Sequence, residues 1–156
     1  MQIHLLAAGT RLPAWINQGY EDYAARLSQE CKLTLREIPL GASRRYGDSV
    51  KSVAEEGTRM LAAIPHRAHV IALEVTGRSF STEQLAEQMN RWLQDGRDLA
   101  LLIGGPDGLA KACVQRAETR WSLSPLTLPH GLVRVVVAEQ LYRAWTILHN
   151  HPYHRG

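Results

Sequence analysis

The chain has 156 residues, of which 45% are hydrophobic and 21% are charged, and its formal net charge at pH 7 is +3. This length and composition are typical of one globular domain with a real hydrophobic core, so we expect a single domain over residues 1–156. No apolar run approaches the roughly 20 residues that span a bilayer, and the apolar start lacks the basic flank of a signal peptide. We therefore expect a cytoplasmic protein with no membrane partner, whose small positive charge permits a nucleic-acid partner without requiring one.

Short apolar runs alternate along the chain with stretches whose apolar residues recur at helical spacing. Residues 32–38, KLTLREI, alternate apolar and polar side chains, which indicates a strand with one wet face at a sheet edge. Ser81 or Thr82 can cap a helix that stops at Gly96. In chain order the predicted elements are strand 2–9, helix 13–28, strand 32–38, loop 39–49, helix 50–63, strand 68–75, helix 81–96, strand 98–105, helix 106–118, strand 121–130 and helix 131–150.

This alternation of strands and helices predicts an α/β domain with a mainly parallel sheet covered by helices on both faces. Ligands of such sheets bind beyond the carboxyl ends of the strands. Three of the predicted strand ends have unusual sequences: ALEVTG (72–77), LLIGGPDG (101–108) and SLSPLTLP (122–129). We expect a ligand site where these three ends meet.

The run IGGPDG is neither a dinucleotide fingerprint nor a P-loop, because Pro106 lacks a backbone N–H and no GK[ST] follows. Gly104 and Gly105 are compatible with a tight strand-to-helix turn, and also with the approach of a flat ligand to bare backbone. The run SPLTLP is stiffened by two prolines and carries apolar side chains. It is compatible with one wall of a small-molecule pocket or with a surface loop tucked onto the core.

The last predicted helix and the tail after it concentrate chemistry at the end of the chain. Glu139 and Arg143 lie four residues apart on a helix that is otherwise almost wholly apolar. They are compatible with a solvated ion pair or with a part of an interface or site. The tail HNHPYHRG (149–156) contains three histidines, but neither an HExxH motif nor paired carboxylates accompany them. We therefore expect no metal, and a metal hydrolase is the least favoured interpretation.

Four segments closely resemble one known family: HLLAAGT (4–10), LLIGGPDGL (101–109), WSLSPLTLPH (121–130) and VRVVVAEQLYRAWTILHNHPYHR (133–155). This is the ribosomal large-subunit pseudouridine methyltransferase H family, whose members are minimal SPOUT methyltransferases. The resemblance runs over the whole chain and is weakest over residues 41–66. It implies an α/β fold with a C-terminal trefoil knot, a homodimer with sites completed across the interface, and S-adenosylmethionine bound in the knot. It also implies methylation of the N3 nitrogen of a pseudouridine in 23S rRNA of the assembled ribosome.

The resemblance also implies which residues bind the cofactor, and they fall at the three strand ends already singled out. The implied cofactor-binding residues are Leu73, Gly105, Ser124, Pro125, Leu126, Thr127, Leu128 and Pro129.

The implied catalytic residues are in the last helix and the tail. Our hypothesis is that His154, or a water that it holds, takes the proton of the target nitrogen. Arg155 would stabilise carbonyl oxygens of the base or a phosphate, and Tyr153 would contact the flipped base. Glu139 and Arg143 would shape the RNA side of the site near the dimer interface.

Two alternatives to this function stay open at the level of the sequence. The first is a SPOUT methyltransferase that acts on another RNA, such as tRNA, and the second is a non-catalytic ribosome-binding factor. Three basic residues, Arg44, Arg45 and Lys51, lie in or just after the predicted loop 39–49. They are candidates for phosphate contacts, and they are equally compatible with a solvated surface.

Overall fold

The computed structural model describes residues 1–155, apart from the side chain of Gln29, and contains five strands and five α-helices in that range. The strands are β1 (Gln2–Ala8), β2 (Lys32–Ile38), β3 (His69–Ser79), β4 (Leu99–Ile103) and β5 (Thr119–Ser122). The helices are α1 (Ala14–Ala24), α2 (Ser49–Ala63), α3 (Thr82–Asp95), α4 (Lys111–Arg116) and α5 (His130–Leu148).

The strands form one parallel sheet in the order β2-β1-β4-β3-β5. The predicted α/β class and parallel sheet are confirmed, and β2 is an edge strand as its alternating sequence predicts. The trefoil knot stays a prediction, as does the single-domain assignment of residues 1–156, whose last residue lies outside the described range.

Two hydrophobic cores lie on opposite faces of the sheet. Alternate residues of β1 face opposite sides, so that Leu5 packs with residues of α1, α3 and α5 while Leu6 packs with residues of α2 and α4. Strand β4 is buried along its whole length, as expected for a central strand that is covered on both faces. This arrangement leaves the carboxyl ends of the strands as the place where ligands can approach the sheet.

Several predicted elements differ in length from the structure, including the predicted helix 13–28, which ends at Ala24. Three of these differences bear on the site. The predicted helix 106–118 is shorter, because residues 105–108 form a turn in which the Gly108 N–H donates to the Gly105 carbonyl at 3.0 Å. The predicted strand 121–130 ends at Ser122, where the proline-containing loop leaves the sheet. The predicted strand 68–75 instead continues to Ser79, because it regains its pairing with β5 after a shift in register.

That shift in register forms one side of the site. Leu73 pairs with Trp121, and after a four-residue interruption Arg78 pairs with the same Trp121. A Cβ on Gly77 would lie 2.7 Å from the Arg120 carbonyl carbon, so the strand can approach β5 here only as glycine. Residues 74–77 therefore form a bulge in the pairing of β3 with β5.

Candidate functional site

The carboxyl ends of β3, β4 and β5 and the first turn of α5 surround a cavity of about 510 Å³. Its volume lies within the range of small-molecule sites, about 300–1,000 Å³. All of the residues predicted to bind a cofactor line this cavity except Pro125, which is exposed beside it. The lining members of the predicted set are Leu73, Gly105, Ser124, Leu126, Thr127, Leu128 and Pro129. Their part in cofactor binding stays a prediction.

The turn after β4 forms one wall of the cavity and depends on glycine. A Cβ on Gly104 would lie 2.4 Å from the Gly108 carbonyl carbon and 2.5 Å from the Leu109 nitrogen. A Cβ on Gly105 would lie 3.0 Å from Cδ2 of Leu40, which is also closer than side chains normally pack. The glycines therefore allow a tight turn, and the same turn exposes backbone to the cavity. Both interpretations of IGGPDG, a tight turn and a surface of bare backbone that a ligand can approach, are compatible with the structure.

The loop 123–129 forms the opposite wall and is held by hydrogen bonds of two serines. The Ser122 hydroxyl donates to the Ser124 carbonyl at 3.0 Å, and the Leu126 N–H donates to the Ser124 hydroxyl at 3.0 Å. The Leu126 side chain is 70% exposed, so it offers an apolar surface at the cavity mouth. This wall therefore provides backbone polar groups and apolar side chains, which together can hold a flat ligand.

Among the residues that the structure describes, only two ionisable side chains line the cavity: Glu74 and His130. Burial lowers the pKa of the His130 imidazole, and the positive charges of Arg134 and Arg44 lower it further. Sequence reasoning missed both residues, although each directly follows a predicted cofactor residue, Leu73 or Pro129. The cavity thus pairs apolar walls with one carboxylate and one imidazole that favours its neutral form.

The predicted catalytic residues gather in a second place, on the C-terminal half of α5. The Tyr153 hydroxyl donates to Oε1 of Glu139 at 3.0 Å, and Nε of Arg143 donates to the same oxygen at 2.8 Å. The Arg143 guanidinium lies 4.8 Å from the centre of the Tyr153 ring, and the centre of that ring lies 4.7 Å from the centre of the Tyr142 ring, with the two planes tilted by 59°. Burial, with hydrogen bonds to Tyr23 and Glu139, raises the pKa of Tyr153. Glu139 and Arg143 therefore fasten the tail to the helix and are more than a solvated pair.

The rest of the tail is less tightly held. Within residues 1–155, Nδ1 of His154 is buried and has no hydrogen-bond partner, while Arg155 is exposed. Val133 lines the cavity, and Glu139 follows it by six residues, which places the tail cluster about 9 Å farther along the helix axis. A single chain therefore does not bring the two predicted groups of site residues together.

Two of the three tail histidines, His149 and His151, form hydrogen bonds within the chain. Nε2 of His149 lies 3.0 Å from a carboxylate oxygen of Glu30, and Nδ1 of His151 accepts from the Tyr153 N–H at 3.2 Å. In the part of the chain that the structure describes, no three His, Cys, Asp or Glu side chains are grouped so that they could hold a metal ion. Over the same residues, no helix has both the length and the apolar character needed to cross a membrane.

The basic residues in the loop between β2 and α2, and at the start of α2, fall into two groups. Arg44 is bonded to Glu56 at 3.1 Å and to Asp107, so it connects this loop to α2 and to the turn that follows β4. Arg45 and Lys51 are exposed. Arg44 thus has a structural role, and Arg45 and Lys51 remain the candidates for phosphate contacts.

Sequence comparison identifies relatives over nearly the whole chain. The model of one family, described as predicted SPOUT methyltransferase, matches residues 1–154. A protein of Methylococcus capsulatus named ribosomal RNA large subunit methyltransferase H is 59% identical, over 99% of this chain and 100% of its own length. Proteins of the same name from Thioalkalivibrio sulfidiphilus and Hahella chejuensis are 55% and 54% identical, each over 99% of both chains.

Solved structures share the fold at much lower identity. A candidate methyltransferase from Bordetella pertussis superposes with a TM-score of 0.57 at 15% identity, over 91% of this chain and 93% of that one. A candidate methyltransferase from Legionella pneumophila, in complex with the bound cofactor SAM, superposes with a TM-score of 0.52 at 9% identity. That match covers 93% of this chain and 66% of the Legionella chain.

Proposed function

This chain belongs to the SPOUT methyltransferase family, among the ribosomal RNA large subunit methyltransferases H, and from that premise we propose its reaction: S-adenosylmethionine-dependent methylation of the N3 nitrogen of a pseudouridine in 23S rRNA. The reaction takes place on the assembled ribosome, in the cytoplasm. The observation that carries this proposal is the 59% identity, over essentially the full length of both chains, to a protein with that name.

S-adenosylmethionine is proposed to bind in the cavity at the ends of β3, β4 and β5. The cavity suits it because apolar side chains such as Leu126 and Leu128 can flank the adenine ring, while bare backbone at Gly105 can take polar contacts. The Glu74 carboxylate can compensate the positive charge of the cofactor. When bound, the cofactor supplies an electrophilic methyl group on a sulfonium sulfur. The Legionella neighbour, which shares the fold, is in complex with SAM, and this supports the choice of cofactor.

The target N3 is the nitrogen of an imide group, which carries a proton that must leave before the nitrogen can be methylated. N3 gives its proton to a base and uses the freed electron pair to bond the methyl carbon, while the electrons of the carbon–sulfur bond remain on the leaving thioether. Negative charge therefore develops on the imide as the proton leaves. The chain has to position the base, accept the proton and stabilise that charge.

The tail is proposed to act in the site of a second copy of the chain, within a homodimer. Support comes from the separation of the tail cluster and the cavity in one chain, together with the unpartnered Nδ1 of His154. Tyr153, fixed by Glu139 and Arg143, would contact the flipped base. His154, or a water that it holds, would take the proton, and Arg155 would stabilise a carbonyl oxygen or a phosphate.

The substrate is tested by incubating the purified protein with labelled S-adenosylmethionine and three RNAs: ribosomes that lack the methyl group, free large subunits, and tRNA. We expect label on assembled ribosomes, mapped to N3 of one pseudouridine. Label on tRNA instead would support the tRNA alternative. Absence of cofactor binding by calorimetry would support the ribosome-binding factor.

The shared site is tested by mixing two inactive variants. Gly105→Val fills the cavity wall, and Arg155→Ala removes the tail cation. After subunits exchange at equal amounts, sites completed across the interface give about one quarter of the wild-type activity, because half the dimers are mixed and each has one intact site. Sites built within one chain give no activity in the mixture, and that result would exclude the composite site.

A further inference from the structure

His130 is the ionisable residue that α5 contributes to the cavity, and the reaction outlined above leaves it without a role. It begins the helix, directly after the loop 123–129. Its Nε2 atom lies 3.4 Å from the position that a Cβ on Gly9 would occupy, and Gly9 has a φ of +112°, which favours glycine. The imidazole therefore lies between the cavity and the carboxyl end of β1.

A buried arginine lies beside this imidazole. Arg134 follows it by one helical turn, with a guanidinium nitrogen 3.6 Å from the same Cβ position. Arg134 is 1% exposed and donates to Glu37 at 2.7 Å and to the Gly9 carbonyl at 2.8 Å, so its position is fixed.

Two further features add positive potential on this side of the cavity. Arg44 acts on the imidazole from the loop between β2 and α2, where Glu56 and Asp107 hold it. The Glu74 carboxylate also lines the cavity and acts with the opposite sign. The first turn of α5 has neither a capping side chain nor an acidic residue, so its free N–H groups favour negative charge nearby. Together Arg134, Arg44 and the start of α5 disfavour a protonated His130 and favour an anion close to it.

Neither ring nitrogen of His130 has a hydrogen-bond partner within residues 1–155, although the side chain is half-buried. A neutral imidazole has one N–H donor, and no acceptor within residues 1–155 takes it, so it is open to water or to a ligand. We propose that His130 is a catalytic residue that donates this hydrogen bond to a carbonyl oxygen of the target imide and stabilises its negative charge as N3 loses its proton. A role as the proton acceptor fits less well, because the neighbouring cations oppose formation of an imidazolium. The inference rests on the proposed function and assigns a residue to its charge-stabilising step.

The test compares wild type, His130→Ala and His130→Gln in single-turnover methylation of ribosomes that lack the methyl group, at saturating S-adenosylmethionine. We expect His130→Ala to lower the rate by about 10²–10³-fold, the usual effect of losing one donor to a developing oxyanion. Cofactor affinity, measured by calorimetry, should stay within about threefold of wild type, as for a group that acts mainly in the transition state. His130→Gln, which keeps an N–H donor, should recover at least about tenfold of the rate. His66→Ala, at an exposed histidine before β3, is the matched control and should keep the wild-type rate.

A pH series separates charge stabilisation from a structural role. As the pH rises, the imide loses its proton in solution before it reaches the site. The rate of His130→Ala should then approach the wild-type rate, because the site no longer has to favour loss of that proton. A His130→Ala rate within threefold of wild type would overturn the proposal. So would a loss of cofactor affinity that matches the loss of rate, or a His130→Gln variant as slow as His130→Ala with a deficit independent of pH. Failure of the wild type to label ribosomes would refute the proposed function instead, which keeps the two failures distinct.

Discussion

Replacing Gly104 by alanine should weaken the binding of S-adenosylmethionine, because the new methyl group has no space in the turn after β4. Its Cβ would lie 2.4 Å from the carbonyl carbon of Gly108, and ordinary contacts begin at 3.4 Å, so the turn must move by about 1 Å. The atoms in the way belong to the backbone of Gly108 and Leu109, which cannot rotate aside as a flexible side chain can. Both of these residues line the cavity, so the movement changes the shape of the ligand site.

The expected loss of affinity depends on the strain in the bound state. In the free variant the turn shifts and relieves most of the clash. A ligand that requires the original position of the turn brings the clash back, and its binding is weakened by that energy. Overpacking of this kind costs about 1–3 kcal/mol, which corresponds to a loss of affinity of about 5- to 150-fold. Isothermal titration calorimetry with S-adenosylmethionine measures this loss directly, with folding checked by a urea unfolding curve.

Gly108→Ala is the matched control in the same turn. Gly108 has a φ of +84°, and no atom lies within 4 Å of the position of its Cβ, so alanine there adds backbone strain without a collision. We expect it to lower the free energy of unfolding by about 1–2 kcal/mol while cofactor affinity stays within about threefold. A Gly104→Ala variant that binds the cofactor as tightly as wild type would refute the assignment of this turn as a wall of the cofactor site.

Three further predictions concern stability and ribosome binding. Arg134→Met should lower the free energy of unfolding by about 3 kcal/mol in urea, because it leaves the Glu37 carboxylate and two backbone carbonyls without their buried donor; a loss below about 1 kcal/mol would contradict this. Arg45→Glu should weaken ribosome binding and make the slope of log K against log salt shallower by about one unit or more, and an unchanged slope would exclude a phosphate contact. Burial, against the attraction of Glu118, lowers the pKa of His69 from its ordinary 6.5, so the folded chain binds fewer protons than the unfolded chain. The free energy of unfolding should therefore fall as the pH drops below 6.5, and His69→Gln should flatten that fall in urea curves between about pH 7 and 5, whereas an equally steep fall would contradict the account.

The sequence predicts well those features that depend on local signals. Strand β2 has the predicted bounds because most of its side chains alternate between polar and apolar, and α3 begins after Ser81 because that residue forms a capping box with Gln84. The location of the cavity also follows from the sequence, since the carboxyl ends of parallel strands share one edge and three of these ends carry glycine or proline.

Features that depend on long-range contacts could not be read from the sequence. The continuation of β3 to Ser79 depends on its second pairing with Trp121, about 40 residues later in the chain. The fixing of Tyr153 by Glu139 depends on how the tail folds back, which the spacing of Glu139 and Arg143 does not reveal. His130 was visible in the sequence, but only its contact with Gly9 and the nearby Arg134 distinguish it from an ordinary helix-start residue.

The shift in register between β3 and β5 has a consequence for the thermodynamics of recognition. Residues 74–77 form a bulge that is held at both ends by pairing with β5, and Gly77 lies close to the backbone of Arg120. A bulge fixed at both ends has few alternative conformations, so the entropy of ordering this wall is already lost when the chain folds. Ligand binding at Glu74 then needs little further ordering, and this side of the cavity is preorganised instead of closing around its ligand.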